Sequence, residues 1–158
     1  VGRLPAYRAR PKLVQETLFD ERILAVVGRH HPLAGRKPLT FRQIRPFGWI
    51  LPPPETTLRR QIDQYFVSQK QYAPPHVLES VSYLANRALF QKLDLVGLMP
   101  EHVVAHDIDE GQLVELNLTV PFGNGPVGVS YRGPDSLSPA GSEFLKALRS
   151  AATTLDEP

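Results

Sequence analysis

The sequence contains no cysteine, which excludes disulfides and thiolate metal sites and leaves the redox compartment open. Nor is there an excess of charge of one sign, since 18 Lys plus Arg stand against 16 Asp plus Glu for a formal net charge of +2. That balance is too small to argue for a nucleic-acid-binding surface, even with a pI near 9.1. No apolar run approaches the roughly 18 residues of a membrane span, so no membrane partner is expected, and no signal peptide opens the chain. Internal repeats and low-complexity linkers are missing too. So is the apparatus of catalysis: there is no Gly-rich phosphate loop, nucleophile elbow or carboxylate pair, and Ser130-Tyr131-Arg132 has no base at a suggestive spacing. These absences point to a protein that is not an enzyme and needs no cofactor.

What the chain does have is 42% hydrophobic residues in a length of 158, which excludes disorder as the main state and allows one domain or two small lobes. It begins with Val1, and Val1-Gly2 reads as the tail of a strand. The expectation is a piece of a longer protein.

Along the chain, Pro5 to Pro11 (PAYRARP) is a basic connector with solvated charges. Leu13 to Phe19 suits a half-buried strand, Asp20-Glu21 a turn, and Ile23 to Val27 a nearly continuous strand ended by Gly28. His31-Pro32-Leu33-Ala34-Gly35 is turn chemistry, and Thr40 caps a short helix. Phe47 to Leu51 is a strand stopped by Pro52-Pro53-Pro54. Thr56 or Thr57 then caps a helix with an apolar face of Leu58, Ile62, Tyr65 and Phe66 and a wet side carrying Arg59, Arg60, Asp63 and Gln64. After residue 100 come a short helix over Glu101 to His106, a strand over Leu113 to Leu118, a loop at Pro121 to Pro126 and a strand over Val127 to Arg132. Gly133-Pro134-Asp135 turns the chain into a last helix from Ser138-Pro139 that buries Phe144, Leu145 and Leu148. Asp156-Glu157-Pro158 should fray.

His76 to Pro100 organises the rest. His76-Val77-Leu78 is a short strand held behind Pro74-Pro75, which disfavour helix just before it. Ser80 stands at an N-cap, with Val81, Leu84, Ala85, Ala88 and Leu89 following at helical spacing, and Leu95 to Met99 is a short apolar strand. Strand, crossover helix and strand make a βαβ unit whose neighbouring strands should be parallel. Ligands of such sheets bind outside the carboxyl ends of the strands, here Glu79-Ser80 and Met99-Pro100. The overall alternation argues for an α/β fold with mostly parallel sheets.

The runs LFDERILAVVGRHHPLAG (18–35), LTFRQI (39–44), FGWILPPPETTLR (47–59), ESVSYLANRALFQKLDLVGLMP (79–100) and EGQLVEL (110–116) together resemble the effector-binding domain of LysR-type transcriptional regulators. The likeness covers almost the whole chain and rests on the order and spacing of loose motifs. Trp49-Ile50-Leu51-Pro52-Pro53 is most similar to the branch regulating sugar-binding-protein and aromatic-acid catabolic genes. The resemblance implies a two-lobed periplasmic-binding-protein-like (type 2) fold, with residues 48–121 as lobe two and residues 1–47 and 122–158 as part of an incomplete lobe one. It also implies a homodimer or homotetramer that contacts DNA only through an N-terminal domain not present here, and a cytoplasmic location. Helices over 57–69 and 81–92 are candidates for the self-association surface, although core packing is the default explanation of each apolar stripe. Gln91-Lys92-Leu93-Asp94 departs from the family, which often has two glycines there.

Candidate ligand residues follow from the strand ends. Pro53, Glu55, Thr56 and Thr57 lie at a strand-to-helix corner, where free N–H groups and a positive dipole end suit a carboxylate or sugar hydroxyl. The plainer view is that Thr56 and Thr57 merely cap. Ser80 and Ser82 share that ambiguity, with capping alone expected of one of them, and Val81 between them is a further candidate. Met99, Pro100 and His102 would wall the same crevice. Arg3 is a candidate partner for an anionic effector, although a surface arginine is the commoner case. His102 and His106 have a metal-ligand spacing but no third ligand, so no metal is expected. The function expected is the sensing of a small molecule (a sugar, sugar acid or aromatic acid) that controls DNA binding by the full-length dimer. A solute-binding protein of a transporter is the alternative, and an enzyme on the same kind of fold would need a polar constellation that the sequence lacks.

Overall fold

Ile23-Leu24-Ala25-Val26-Val27 is apolar throughout because it becomes a strand covered on both faces. The computed structural model describes residues 2–4, 13–35, 38–121, 125–133 and 136–156. Their strands are β1 (Gly2–Arg3), β2 (Val14–Glu21), β3 (Ile23–Gly28), β4 (Gly48–Leu51), β5 (Val77–Glu79), β6 (Leu95–Pro100), β7 (Leu113–Glu115) and β8 (Gly125–Tyr131). The helices are α1 (Phe41–Ile44), α2 (Thr57–Ser68), α3 (Tyr83–Phe90), α4 (Glu101–Asp109) and α5 (Pro139–Asp156).

The chain divides into two compact units, one of Val1–Glu21 with Asn124–Pro158 and one of Arg22–Gly123. In the larger unit a five-stranded sheet has the order β5-β4-β6-β3-β7. β4 is parallel to both β5 and β6, while β3 is antiparallel to β6 and to β7. Four strands therefore run one way and β3 runs against them, which gives the expected mostly parallel sheet. Because β3 pairs along its length with β6, the residues from Arg22 onward belong to this unit; the boundary falls there and not at 47/48.

Successive residues of a strand point to opposite faces, and the core follows that alternation. Ile23, Ala25, Val27, Trp49, Leu51, Val96 and Leu98 pack on one face against Phe41 and Ile44 of α1 and Ile62 and Phe66 of α2. Leu24, Val26, Ile50, Leu95 and Met99 pack on the other against Phe90 of α3 and Val104 of α4. The result is three layers, helix on sheet on helix. Trp49 is fully buried, with its ring 5.9 Å from that of Phe66 in an edge-on arrangement.

The smaller unit holds a three-stranded sheet of order β1-β8-β2 in which both pairings are antiparallel, unlike the larger sheet. The turn expected at Asp20-Glu21 is instead the end of β2, paired with Pro126 and Gly125. Helix α5 lies against β2, and Arg149 grips Glu16 through two hydrogen bonds of 2.6 and 2.7 Å. Leu145 is buried as expected, but Phe144 is 62% exposed. The connector at 5–11, the Pro134-Asp135 part of the expected turn and the last residues from 157 lie outside the described residues.

Two local expectations are corrected. β5 and β6 are parallel but not neighbours, since β4 lies between them. Helix α3 is capped by Ser82, whose hydroxyl accepts from the Ala85 N–H at 3.4 Å, so it starts two residues beyond a helix capped by Ser80. Its buried positions are Asn86 and Phe90, whereas Val81 and Leu84 are exposed. The reason is on β6: Gly97 has no side chain, and the tip of the Phe90 ring fills the space that a Cβ would take. That fit turns the Asn86–Phe90 face to the sheet.

Candidate functional site

β4, β5 and β6 end side by side, with Leu51 opposite Glu79 and Ile50 opposite Gly97. The chain leaves β4 through α2 toward β5 on one side and returns through α3 to β6 on the other, so the strand order switches direction at β4. Parallel sheets bind ligands at the carboxyl ends beside such a switch. A cavity of about 320 Å³ lies there, lined by Ile50, Leu51, Pro52, Leu58, Ser80, Val81, Tyr83, Asn86, Leu98, Met99, Pro100 and Val103. All of these belong to the larger unit. A cavity of this size matches the lower end of small-molecule sites.

The wall is apolar except for three groups. Ser80 Oγ accepts from the Ser82 N–H at 3.2 Å, leaving its own hydroxyl proton to donate. The Tyr83 hydroxyl donates to Asp107, a buried carboxylate that also accepts from Arg87 Nε at 3.0 Å. Burial first, and the Asp107 carboxylate second, push the Tyr83 hydroxyl up to about 12, so it stays protonated at neutral pH. Asn86 is only 3% exposed, and its Oδ1 is buried without a hydrogen-bond partner.

The loop beside the cavity is tied down by its own residues. The Thr56 hydroxyl donates to the Pro53 carbonyl at 2.8 Å and accepts from the Arg59 N–H at 3.3 Å, so Thr56 is the cap of α2. Thr57 Oγ accepts from Arg60 Nη2 at 3.4 Å, and the Glu55 carbonyl accepts from Arg60 Nη1 at 3.0 Å. Arg59, expected on the wet side, is folded inward. Its side chain is 14% exposed, with Nη1 donating to the Pro52 carbonyl and to Glu79 Oε1, each at 3.1 Å, and Nε donating to Asp63 at 3.2 Å.

Among the residues singled out from sequence, Ser80, Val81, Met99 and Pro100 line the cavity together. Pro53, Glu55, Thr56 and Thr57 stand on the adjoining corner, outside the lining, and His102 is exposed on the first turn of α4. Arg3 lies in β1, but its side chain is outside the described residues. Tyr83 and Asn86 escaped sequence reasoning. The available signal was Asn86 itself, a poor helix former in the middle of a short helix. Among the described residues no three His, Asp or Glu side chains gather to hold a metal, and no helix is long and apolar enough to cross a membrane.

Comparison with known proteins agrees with this architecture. The sequence matches the LysR substrate binding domain family over residues 1–153, and the chain belongs to that family. It is similar to the HTH-type transcriptional regulator GalR of Pseudomonas putida, with 28% identity over 97% of this chain and 38% of that protein. It is equally similar to the HTH-type transcriptional regulator PcaQ of Agrobacterium fabrum, with 28% identity over 98% of this chain and 50% of that one. The chain thus spans half or less of the length of these relatives. Its fold resembles the regulatory domain of Synechocystis CcmR solved in complex with 2-PG, with a TM-score of 0.76 and 18% identity over 96% of this chain and 71% of that one. The relatives carry regulator names, and the transporter alternative finds no support in the family.

Proposed function

We propose that this chain is the effector-binding part of a LysR-type transcriptional regulator and performs no chemical step. A small molecule enters at the carboxyl ends of β4, β5 and β6, and the arrangement of the full-length protein on DNA follows its binding. The observation that carries this reading is the cavity over the switch point of the sheet, in a chain of this family. An effector shifts such an equilibrium only by its differential affinity for the two arrangements.

The wider assignments rest on the family and the names of the relatives. The units of residues 22–123 and of 1–21 with 124–158 correspond to lobe two and to part of lobe one. The full-length protein is a homodimer or homotetramer working in the cytoplasm, and a helix-turn-helix segment makes its contact with DNA. Pro53, Glu55, Thr56, Thr57 and His102 flank the entrance, with Ser80, Val81, Met99 and Pro100 in the wall.

Thermal denaturation against sugars, sugar acids and aromatic acids tests the reading. A ligand at about 100 times its Kd adds about 2.7 kcal/mol to the native state, and each 1 kcal/mol moves Tm by about 2–4 °C at this chain length. One class of compound should raise Tm by several degrees, and Met99→Ala should abolish the rise. A Tm that no compound moves would count against a small-molecule site in this chain.

A further inference from the structure

We infer that the cavity takes a small, uncharged, hydrocarbon-like ligand, a substituted benzene or a body of similar size, and excludes sugars and carboxylates. This rests on the effector-binding reading above and narrows its ligand.

The floor of the cavity is Ile50, Leu51, Leu98 and Met99, all buried, and nine of the twelve lining residues are Ile, Leu, Val, Met or Pro. Such a wall favours an apolar body. An apolar cavity of about 150 Å³ holds a benzene molecule, so about 320 Å³ has room for a ring with a short chain. None of the twelve residues carries a charge at neutral pH. Their polar atoms offer a ligand little. The Asn86 side-chain oxygen is sealed from the surface, the Tyr83 hydroxyl is committed to Asp107, and Ser80 keeps one hydroxyl proton.

The backbone around the cavity is equally poor in donors. A carboxylate bound at strand ends needs free N–H groups or a cation. Here β4 runs into Pro52-Pro53-Pro54 and β6 ends in Pro100, and a proline has no N–H to give. The Ser80 N–H, just beyond β5, donates to the Leu51 carbonyl at 3.0 Å. The Glu101 N–H, just beyond β6, donates to the Arg22 carbonyl at 2.9 Å. The first turn of α4 also carries the Glu101 carboxylate, which opposes a second negative charge there. Arg59, beside Leu58 in the chain, donates to Asp63 and Glu79, and Arg87, beside Asn86, donates to Asp107. An anion in the cavity would therefore lose its hydration with nothing to replace it. A sugar would leave most of its hydroxyls unpaired.

Titration of the ¹⁵N-labelled chain with toluene, ethylbenzene, propylbenzene, benzoate and galactose, followed by amide NMR, tests this. The alkylbenzenes should perturb the amides of residues 80–86 and 98–103. Each added methylene should tighten binding about fourfold while the cavity has room. Val103→Thr keeps the shape of a half-exposed wall residue and adds a hydroxyl, so it should weaken toluene binding about fivefold with little change in Tm. Alkylbenzene affinities that respond neither to chain length nor to Val103→Thr would overturn the inference. Benzoate or galactose binding at these amides as tightly as toluene would overturn the uncharged class and keep the effector-binding reading. If none of the five perturbs them, the inference fails together with the site it rests on.

Discussion

Arg59 Nη1 lies 3.1 Å from Glu79 Oε1, joining the first turn of α2 to the end of β5 across 20 residues of chain. The same nitrogen holds the Pro52 carbonyl, so one guanidinium fixes two of the three strand ends that border the cavity. Glu79 and Asp63 are about half exposed, which weakens the ionic part of these contacts through solvent screening. The hydrogen bond to the carbonyl and the packing of the inward-folded stem remain. Arg59→Ala should cost about 1–2 kcal/mol, and Glu79→Gln less than half of that. Urea denaturation of both variants gives the comparison, and equal losses would show the ion pair to dominate.

Tyr83 and Arg87 share one buried acceptor, Asp107. Tyr83→Phe leaves that carboxylate with Arg87 alone and should destabilise the protein by about 1–3 kcal/mol. Linkage adds a pH signature. Folding raises the Tyr83 pKa from 10.0 to about 12, so its contribution is complete below pH 10 and is lost as pH rises toward 12. The alkaline loss of stability between those values should therefore be smaller in Tyr83→Phe than in the wild type.

His31 titrates in the opposite sense. Burial is the main cause that lowers its pKa below 6.5, and its Nδ1 accepts from the Leu33 N–H at 3.1 Å, an interaction that needs the neutral ring. The unfolded chain binds the proton more readily, so this stability is present above pH 6.5 and lost as pH falls below it. Thermal scans between pH 7 and 5 should show a falling Tm, and His31→Gln should flatten that slope. An unchanged slope would assign the acid sensitivity to another group.

Gly97→Ala tests the contact that sets the phase of α3. The new methyl would meet the Phe90 ring, buried at 3% exposure, and overpacking of this kind costs about 1–3 kcal/mol. Adding Phe90→Leu should recover part of the loss, read as a rise in the urea midpoint of the double variant over Gly97→Ala. Full additivity of the two losses would mean that ring and methyl do not compete for one space.

Much of the larger sheet was determined by sequence alone. Ile23 to Val27, Phe47 to Leu51 and Leu95 to Met99 are apolar runs too short for helices, and Pro74-Pro75, Gly28 and the three prolines at 52–54 mark their limits. The α2 cap and its buried Ile62 and Phe66 were legible because period and cap agree. The strand ends of the site were legible for the same reason, and Ser80, Met99 and Pro100 of the cavity wall follow directly from them. Tertiary structure decided what depends on a partner distant in the chain. The reversed direction of β3, the insertion of β4 between β5 and β6 and the inward fold of Arg59 all rest on contacts that no local pattern encodes. The α3 phase shows why: Val81, Leu84 and Ala88 form the better apolar stripe, yet the helix turns Asn86 and Phe90 inward because a glycine on β6 leaves room for one ring. Helical periodicity says which residues share a face, and only the shape of the opposing surface chooses the face that is buried.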